Sequence, residues 1–191
     1  MFMRLVRPAV SLLVLMTVLL GIVYPLIITG VAKLAFPRQA EGSLIYQDGK
    51  LIGSTLIGQS FSDPKYFWGR PSATTLKPYN GLASGGSNLG PLNPALLDAV
   101  KANAKALHDA DPDNQQPIPV DLVSASASGL DPDISPAAAH YQAARVARAR
   151  HLEPARIEAL IKTQQRERLF GLIGEPRINV LELNLALDRV R

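Results

Sequence analysis

From Pro8 to Ala32 the chain runs for 25 residues without a charged side chain and is dense in Leu, Val and Ile. At a rise of ~1.5 Å per residue a helix of that length covers about 37 Å, enough to cross a hydrocarbon core of ~30 Å with some tilt. A cleavable signal peptide has a shorter apolar region, about 7–15 residues, closed by small residues in A-x-A spacing. Ala32 and Ala35 lack that spacing, so the segment reads as a transmembrane helix. Pro25 lies inside it, where it removes one backbone donor and leaves the carbonyl near Gly21 in need of another partner. Such a helix is expected to pack against other helices, with Gly21, Tyr24 and Pro25 as candidate contact positions and Thr17 and Thr29 as further small surfaces.

Arg4 and Arg7 flank one end of the span and Lys33 and Arg38 the other, so charge alone does not orient it. A lone amino-terminal span most simply leaves residues 1–7 as a short cytoplasmic tail, 8–32 as the membrane helix and 33–191 as an extracytoplasmic domain. The chain is therefore expected to be a single-pass membrane protein. Setting aside Arg4, Arg7 and Lys33 leaves 17 basic against 16 acidic residues, so the formal charge of +4 gives no basic face for nucleic acid. Charge is nonetheless segregated: seven acids lie between Asp98 and Asp133, and seven bases between Arg145 and Arg168, an arrangement read as solvated or mutually paired faces. The absence of cysteine removes disulfides, thiolate metal sites and a cysteine nucleophile.

The outer domain reads as α+β, mixing helices with a small antiparallel sheet. Asp48-Gly49 between the apolar runs Leu44–Tyr46 and Leu51–Ile52 signals a hairpin. The aromatics Phe61, Tyr66, Phe67 and Trp68 supply either core or a docking surface, with Phe67, Trp68 and Arg70 as the docking candidates. Residues 69–94, rich in Gly, Pro, Ser and Asn, read as a loop with built turns. Asn93-Pro94 opens a predicted helix to His108, and Asp109–Pro119 follows as loop. Ser135-Pro136 opens an alanine-rich helix ending among Arg145, Arg148, Arg150 and His151, and a further helix from Pro154 turns Ile157, Leu160 and Ile161 inward. Leu181, Leu183, Leu185 and Leu187 alternate as in a strand, yet Asn179 with Glu182 resembles a capping box; helix is the expectation.

Motifs for chemistry are few. Ser62-Asp63-Pro64-Lys65 spells S-x-x-K, the nucleophile motif of Ser-Lys acyl enzymes, but S-D-N is missing, Lys162-Thr163-Gln164 breaks K-T-G, and Pro64 disfavours the helix that sets Lys beside Ser. Asp109, Asp111 and Asp113 imitate the opening of a calcium loop, but Asn114 and Val120 occupy the positions that require Gly and Glu. His108, His140 and His151 have no zinc-site spacing, so no metal is expected. Ser84-Gly85-Gly86-Ser87-Asn88 could turn successive N–H groups toward an anion, although the Lys of a P-loop is absent; a structural loop is the plain alternative.

Five segments in order give a resemblance that covers essentially the whole chain: Gly21–Pro25 in the span, Phe67–Ala73, Ser84–Pro91, Ser128–Pro132 with Ile134–Ala137, and Gly174–Arg177 with Asn179 and Val180. Together they resemble the C subunit of the Kdp potassium-transporting P-type ATPase. The resemblance implies a non-catalytic subunit, needed for assembly and stability, of a bacterial high-affinity K⁺ importer. It implies as partners a channel-like K⁺-translocating subunit, a P-type ATPase subunit and, as a further candidate, a small single-span subunit. ATP and K⁺ would be handled by the complex, with no cofactor in this chain. The family's glycine-rich stretch has also been proposed to assist nucleotide binding by analogy with an L-S-G-G-Q signature. Here the matching residues are Ala83–Ser87, which differ from it at both ends. Ser84 to Asn88 are accordingly a candidate ligand, nucleotide or interface loop. Two other classes stay open on the residues alone: a membrane-anchored periplasmic ligand-binding module and a Ser62 acyl enzyme.

Overall fold

The computed structural model describes residues 2–190, which separate into an amino-terminal unit up to Leu44 and a domain from Ile45 onward. The first unit is helical: α1 (Phe2–Val18), a π-helical turn (Leu19–Val23), α2 (Tyr24–Ala35) and a short α3 (Pro37–Ala40). Its stretch Arg4–Ala35 is a 32-residue helix long and apolar enough to cross a membrane, and none of its most apolar window is buried. The disturbance expected at Pro25 takes the form of the π turn, in which the Tyr24 N–H donates to Leu19 O five residues back. The proline ring would strike the carbonyl four residues back in a regular helix, and a widened turn just ahead of it relieves that clash, while the missing N–H still leaves a carbonyl near Gly21 without a donor from Pro25.

The domain begins with the predicted hairpin, β1 (Leu44–Gln47) and β2 (Lys50–Ser54). Its two-residue turn places Asp48 and Gly49 at φ 50° and 74°, the doubly left-handed turn that Asp-Gly favours. No helix or strand follows until α4 (Pro94–Ala110), which Asn93 caps by accepting from Ala95 N. α4 runs two residues past the predicted end, and Leu107 is its only buried residue; Leu97, predicted on the inner face, stays exposed. After a 3₁₀ turn (Val120–Leu122) come β3 (Asp133–Ile134), α5 (Pro136–Arg150), α6 (Pro154–Gln164), β4 (Gln165–Arg166), β5 (Arg177–Asn179) and α7 (Val180–Leu187).

α5 is the spine. Ser135 caps it through Ala138 N, and His151 ends it in the left-handed region at φ 55°, with Leu152 N donating back to Ala147 O. Its buried side chains Ala138, Ala139, Ala143 and Ala147 are short, so neighbouring elements approach closely at little side-chain entropy cost. Around it pack Ile157 and Ile161 of α6, Leu183 and Leu187 of α7, Ile178 of β5, Leu107 and Phe67. Leu160 is partly buried against the same cluster. β5 is the middle strand of a three-stranded antiparallel sheet, order β3-β5-β4, with Ile134 and Gln165 both opposite Ile178. The carboxyl-terminal leucines are helical: Asn179 accepts from Glu182 N, so the cap decides what the alternation left ambiguous.

Two buried amides hold the strandless Thr55–Asn93 stretch to this core. Asn184 accepts from Phe67 N at 2.9 Å and donates to Phe67 O at 2.9 Å, while Gln142 accepts from Trp68 N at 2.8 Å and donates to Trp68 O at 3.1 Å. Asn184→Leu keeps the volume but strands both backbone groups of Phe67. It is expected to lower unfolding stability by about 2–5 kcal/mol, read in urea titrations of the detergent-solubilised chain from the emission of its single tryptophan.

Candidate functional site

Three of the segments singled out in the sequence meet in space, although 61 residues separate the most direct pair. Arg70 Nη1 lies 3.0 Å from Asp131 Oδ2, Ser72 Oγ donates to Gly129 O at 2.7 Å, and both Ser84 Oγ (3.0 Å) and Gly85 N (2.9 Å) donate to Ser128 O. Tyr79 closes the assembly: its hydroxyl donates to Arg70 O at 2.6 Å and its N–H to Ser72 Oγ at 2.9 Å. Thr74 and Asn80 stitch the intervening turn, with Thr74 Oγ1 donating to Lys77 O and Asn80 Nδ2 to Thr75 O. Burial pushes the Tyr79 hydroxyl up to about 12, reinforced by the negative charge of Asp131 and opposed by Arg70.

The glycines of the candidate loop are explained by this packing. A Cβ on Gly86 would come within 2.9 Å of Ala127 O, and one on Gly129, at φ +66°, within 2.6 Å of Gly85 O and 2.5 Å of Thr74 Cγ2. Gly85, whose N–H is already committed to Ser128, has open space where a Cβ would stand. Ser87 and Asn88 are exposed beside them, Asn88 with a left-handed φ of 51°. The Ser84 hydroxyl and the Gly85 amide of the loop are thus both directed inward, at Ser128 O.

The docking candidates divide. Phe67 is wholly buried, so it belongs to the core and offers no surface. Trp68 is half-buried: its indole N–H donates to Asp63 O at 3.1 Å, and the Arg145 guanidinium stacks 4.5 Å from its ring. Arg145 also donates to Pro64 O and Tyr66 O and to Gln142 Oε1 at 2.7 Å. Burial pulls this guanidinium down to about 10, which still leaves it a cation at neutral pH. Arg70 is partly exposed and shares with Asp121, Asp131, Asp133, Glu175 and Arg177 the wall of a cleft of about 550 Å³. Burial raises the Asp133 carboxyl, an effect opposed by Arg177 at 3.0 Å.

The segregated charges are in part mutually paired. Asp111 bonds Arg148 across the predicted acidic and basic blocks, and Asp121 accepts from Ser135 N. Among the described residues, no group of three or more His, Asp or Glu side chains is placed to hold a metal ion. Ser62 and Lys65 sit outside any helix, and Lys65 is engaged by Asp63 at 3.0 Å. That hydrogen bond raises the Lys65 ammonium, the opposite of what a lysine general base requires. Of the positions proposed for the span, Gly21 lies in the π turn, with Tyr24 and Pro25 just beyond it, and nothing occupies the space beside Gly21 within 4 Å.

One apolar helix of membrane-spanning length, followed by an α+β domain whose motif loops are bonded to one another, is the architecture of a protein with a single candidate transmembrane helix. Residues 6–189 match the KdpC family, described as "K+-transporting ATPase, c chain", and the chain belongs to that family. It is 64% identical over 186 residues to the potassium-transporting ATPase KdpC subunit of Dechloromonas aromatica (strain RCB), covering 97% of each chain. It is 64% identical over 183 residues to that of Variovorax paradoxus (strain S110), covering 96% of this chain and 95% of the relative. The corresponding subunit of Burkholderia cenocepacia is 59% identical over 184 residues, again 96% and 95%. The family resemblance read from the five segments is thereby established.

The geometry carries two expectations. Gly85→Ala should leave the urea midpoint of the full chain nearly unchanged, whereas Gly129→Ala should cost about 2–4 kcal/mol through its clash and its positive φ; a ligand-cradling loop would not sort the two in this way. For Tyr79, the hydroxyl is protonated in both folded and unfolded chains below pH 10. Above that the unfolded chain ionises first, so the tyrosine's contribution to stability is lost between pH 10 and about 12. Absorbance titration at 295 nm should show a late-ionising tyrosine that Tyr79→Phe removes.

Proposed function

We propose that this chain is an accessory, non-catalytic subunit of an ATP-driven potassium-import pump, and that it serves assembly and stability of the complex. The observation that carries the reading is the unburied 32-residue apolar helix, broken into a π turn ahead of Pro25, in a chain of the KdpC family. The relatives' name, potassium-transporting ATPase KdpC subunit, supports potassium as the transported ion. In this reading residues 1–7 lie in the cytoplasm, the helix spans the inner membrane, and the domain stands on the outer side. A channel-like K⁺-translocating subunit and a P-type ATPase subunit are the companions, and ATP hydrolysis belongs to the latter.

The π turn suits such a role. It leaves the carbonyls near Gly21 unsatisfied by Pro25, and in hydrocarbon these groups are satisfied most readily by a neighbouring protein helix. Gly21 admits close approach from that side, and Tyr24 flanks the same turn. In the domain, the exposed edge of Trp68, Arg70 and the outer residues Ser87 and Asn88 form the docking face; the glycines behind them are scaffold. In this reading the amide of Gly85 and the hydroxyl of Ser84 serve to hold the loop to Ser128.

Mild-detergent purification of the tagged chain from potassium-starved cells tests the proposal. Stoichiometric recovery of a channel-like subunit and a P-type ATPase subunit is expected. Pro25→Ala, which restores a regular helix, is expected to reduce that recovery several-fold while leaving the domain's unfolding midpoint in place. Recovery of the intact chain alone would overturn the subunit reading.

A further inference from the structure

Among the described residues Asp111 is the one buried carboxylate, 3% exposed. Arg148 bonds its Oδ1, but no donor among the described residues reaches its Oδ2, which is itself closed off from bulk solvent. A carboxylate oxygen held in this way has given up its hydration without a replacement, and a charged group loses more by that than a neutral one. The domain otherwise avoids the situation: of the remaining buried side-chain nitrogens and oxygens described, Arg70 Nε alone stands without a partner. Asp111 Oδ2 is thus an acceptor whose donor the chain itself does not supply.

Two features fix the sign of the missing donor. Asp111 caps the carboxyl end of α4, with its N–H donating to Leu107 O and His108 O, and so stands at the negative pole of a 17-residue helix. It also lines a cleft of about 520 Å³ whose walls include Asp113, Gln116, Tyr141, Ala144 and Arg148. Two of those charges are acidic and one is basic, while His140 in the same wall is engaged by Glu158 at 2.6 Å. The balance calls for one positive charge.

Size and donor chemistry narrow the class. The volume lies in the range of small-molecule sites. A hard divalent ion takes roughly six or more oxygens, and among the described residues no group of three or more His, Asp or Glu side chains is placed to hold a metal ion. A single N–H is enough for Oδ2, and a charged donor makes the stronger bond to a carboxylate. Pro117, Ala144 and Tyr141 give the wall an apolar part suited to the body of an alkylamine. The exposed member of the ion pair is Arg148, at 57%, so the approach to Oδ2 passes its guanidinium.

We infer that the cleft beside Asp111 binds a small primary ammonium compound, whose N–H groups donate to Asp111 Oδ2 and Asp113 while its aliphatic body lies against Ala144 and Tyr141. The site does not depend on the chain's role in a pump.

Isothermal titration calorimetry of the full-length chain in detergent, with n-butylammonium chloride as the probe, tests it. Saturable binding is expected with a Kd of about 1 mM. The neutral isostere n-butanol, tetramethylammonium, which has the charge without an N–H, and potassium chloride are each expected to bind at least about tenfold more weakly. Ala144→Leu fills the cleft from an exposed position on α5. It is expected to keep the parental urea midpoint and weaken n-butylammonium at least about tenfold. Asp111→Asn is expected to weaken the probe as much; if that variant fails to fold, Ala144→Leu and the three comparison probes decide. Heat that does not saturate by about 20 mM, identical in Ala144→Leu, means that water alone answers Oδ2 and overturns the site. Tetramethylammonium or potassium binding as tightly as n-butylammonium reveals a diffuse ionic attraction and overturns the N–H contact. Undiminished saturable binding in Ala144→Leu puts the amine elsewhere and overturns the assignment to this cleft.

Discussion

Two side-chain amides take the place of a β-ladder in this domain. The chain from Thr55 to Asn93 has neither helix nor strand, yet it carries Phe67 into the centre of the core. Backbone groups buried on such a path must find partners or forfeit their hydration. Asn184 and Gln142 each offer a carbonyl and an NH₂ in one plane, the same donor-acceptor pair a neighbouring strand would present, and they read Phe67 and Trp68 in turn. Because Asn184 sits on α7 and Gln142 on α5, the strandless segment is fastened to both helices at once. Arg145 then uses the same Gln142 oxygen and the Trp68 ring, so the aromatic cluster, the spine helix and the segment form one bonded unit.

A second consequence follows for the glycine-rich motif. Once Phe67 and Trp68 are fixed, residues 69–88 must double back toward 126–131, and the two strings of main chain meet with almost no room for side chains. Glycine at 58, 86 and 129 makes that contact geometrically accessible, since a Cβ at each would fall within 3 Å of a neighbouring backbone oxygen. Serines supply the short hydroxyls that bond across the seam. The sequence looks like a ligand cradle, and in the fold its Ser84 hydroxyl and Gly85 amide are directed at Ser128 of the same chain.

How much of this was legible beforehand depended on the range of the determining interactions. The apolar span, the Asp48-Gly49 hairpin, the Asn93, Ser135 and Asn179 caps and the proline-opened helices are local devices, readable from a few adjacent residues, and all stand in the structure. The alternation of Leu181 to Leu187 was a true ambiguity that one capping asparagine resolves. The three-stranded sheet left no trace: strands of two or three residues are too short for a period, and β3 pairs with a strand more than forty residues away. Arg70 with Asp131 was invisible for the same reason, whereas Tyr79 with Arg70 O is only nine residues apart but lies in a stretch with no helix or strand period to read. For Phe67 composition permitted both core and docking surface, and its complete burial shows which applies. Of the three spaced aspartates only Asp111 is buried, and nothing near it in the sequence singles it out because its partner, Arg148, lies 37 residues on.

The bonding of the strandless segment also bears on how the domain meets other molecules. A loop that must be ordered on contact gives up conformational entropy at that moment and so weakens the association. Here the ordering has already occurred during folding, through partners on α5 and α7, and the face around Trp68 and Arg70 can shift only if those helices shift. In the docking role proposed for this face, recognition would be of the lock-and-key kind, and movement elsewhere in an assembly would reach it as a displacement of the whole domain, a lever arm without a flexible joint of its own.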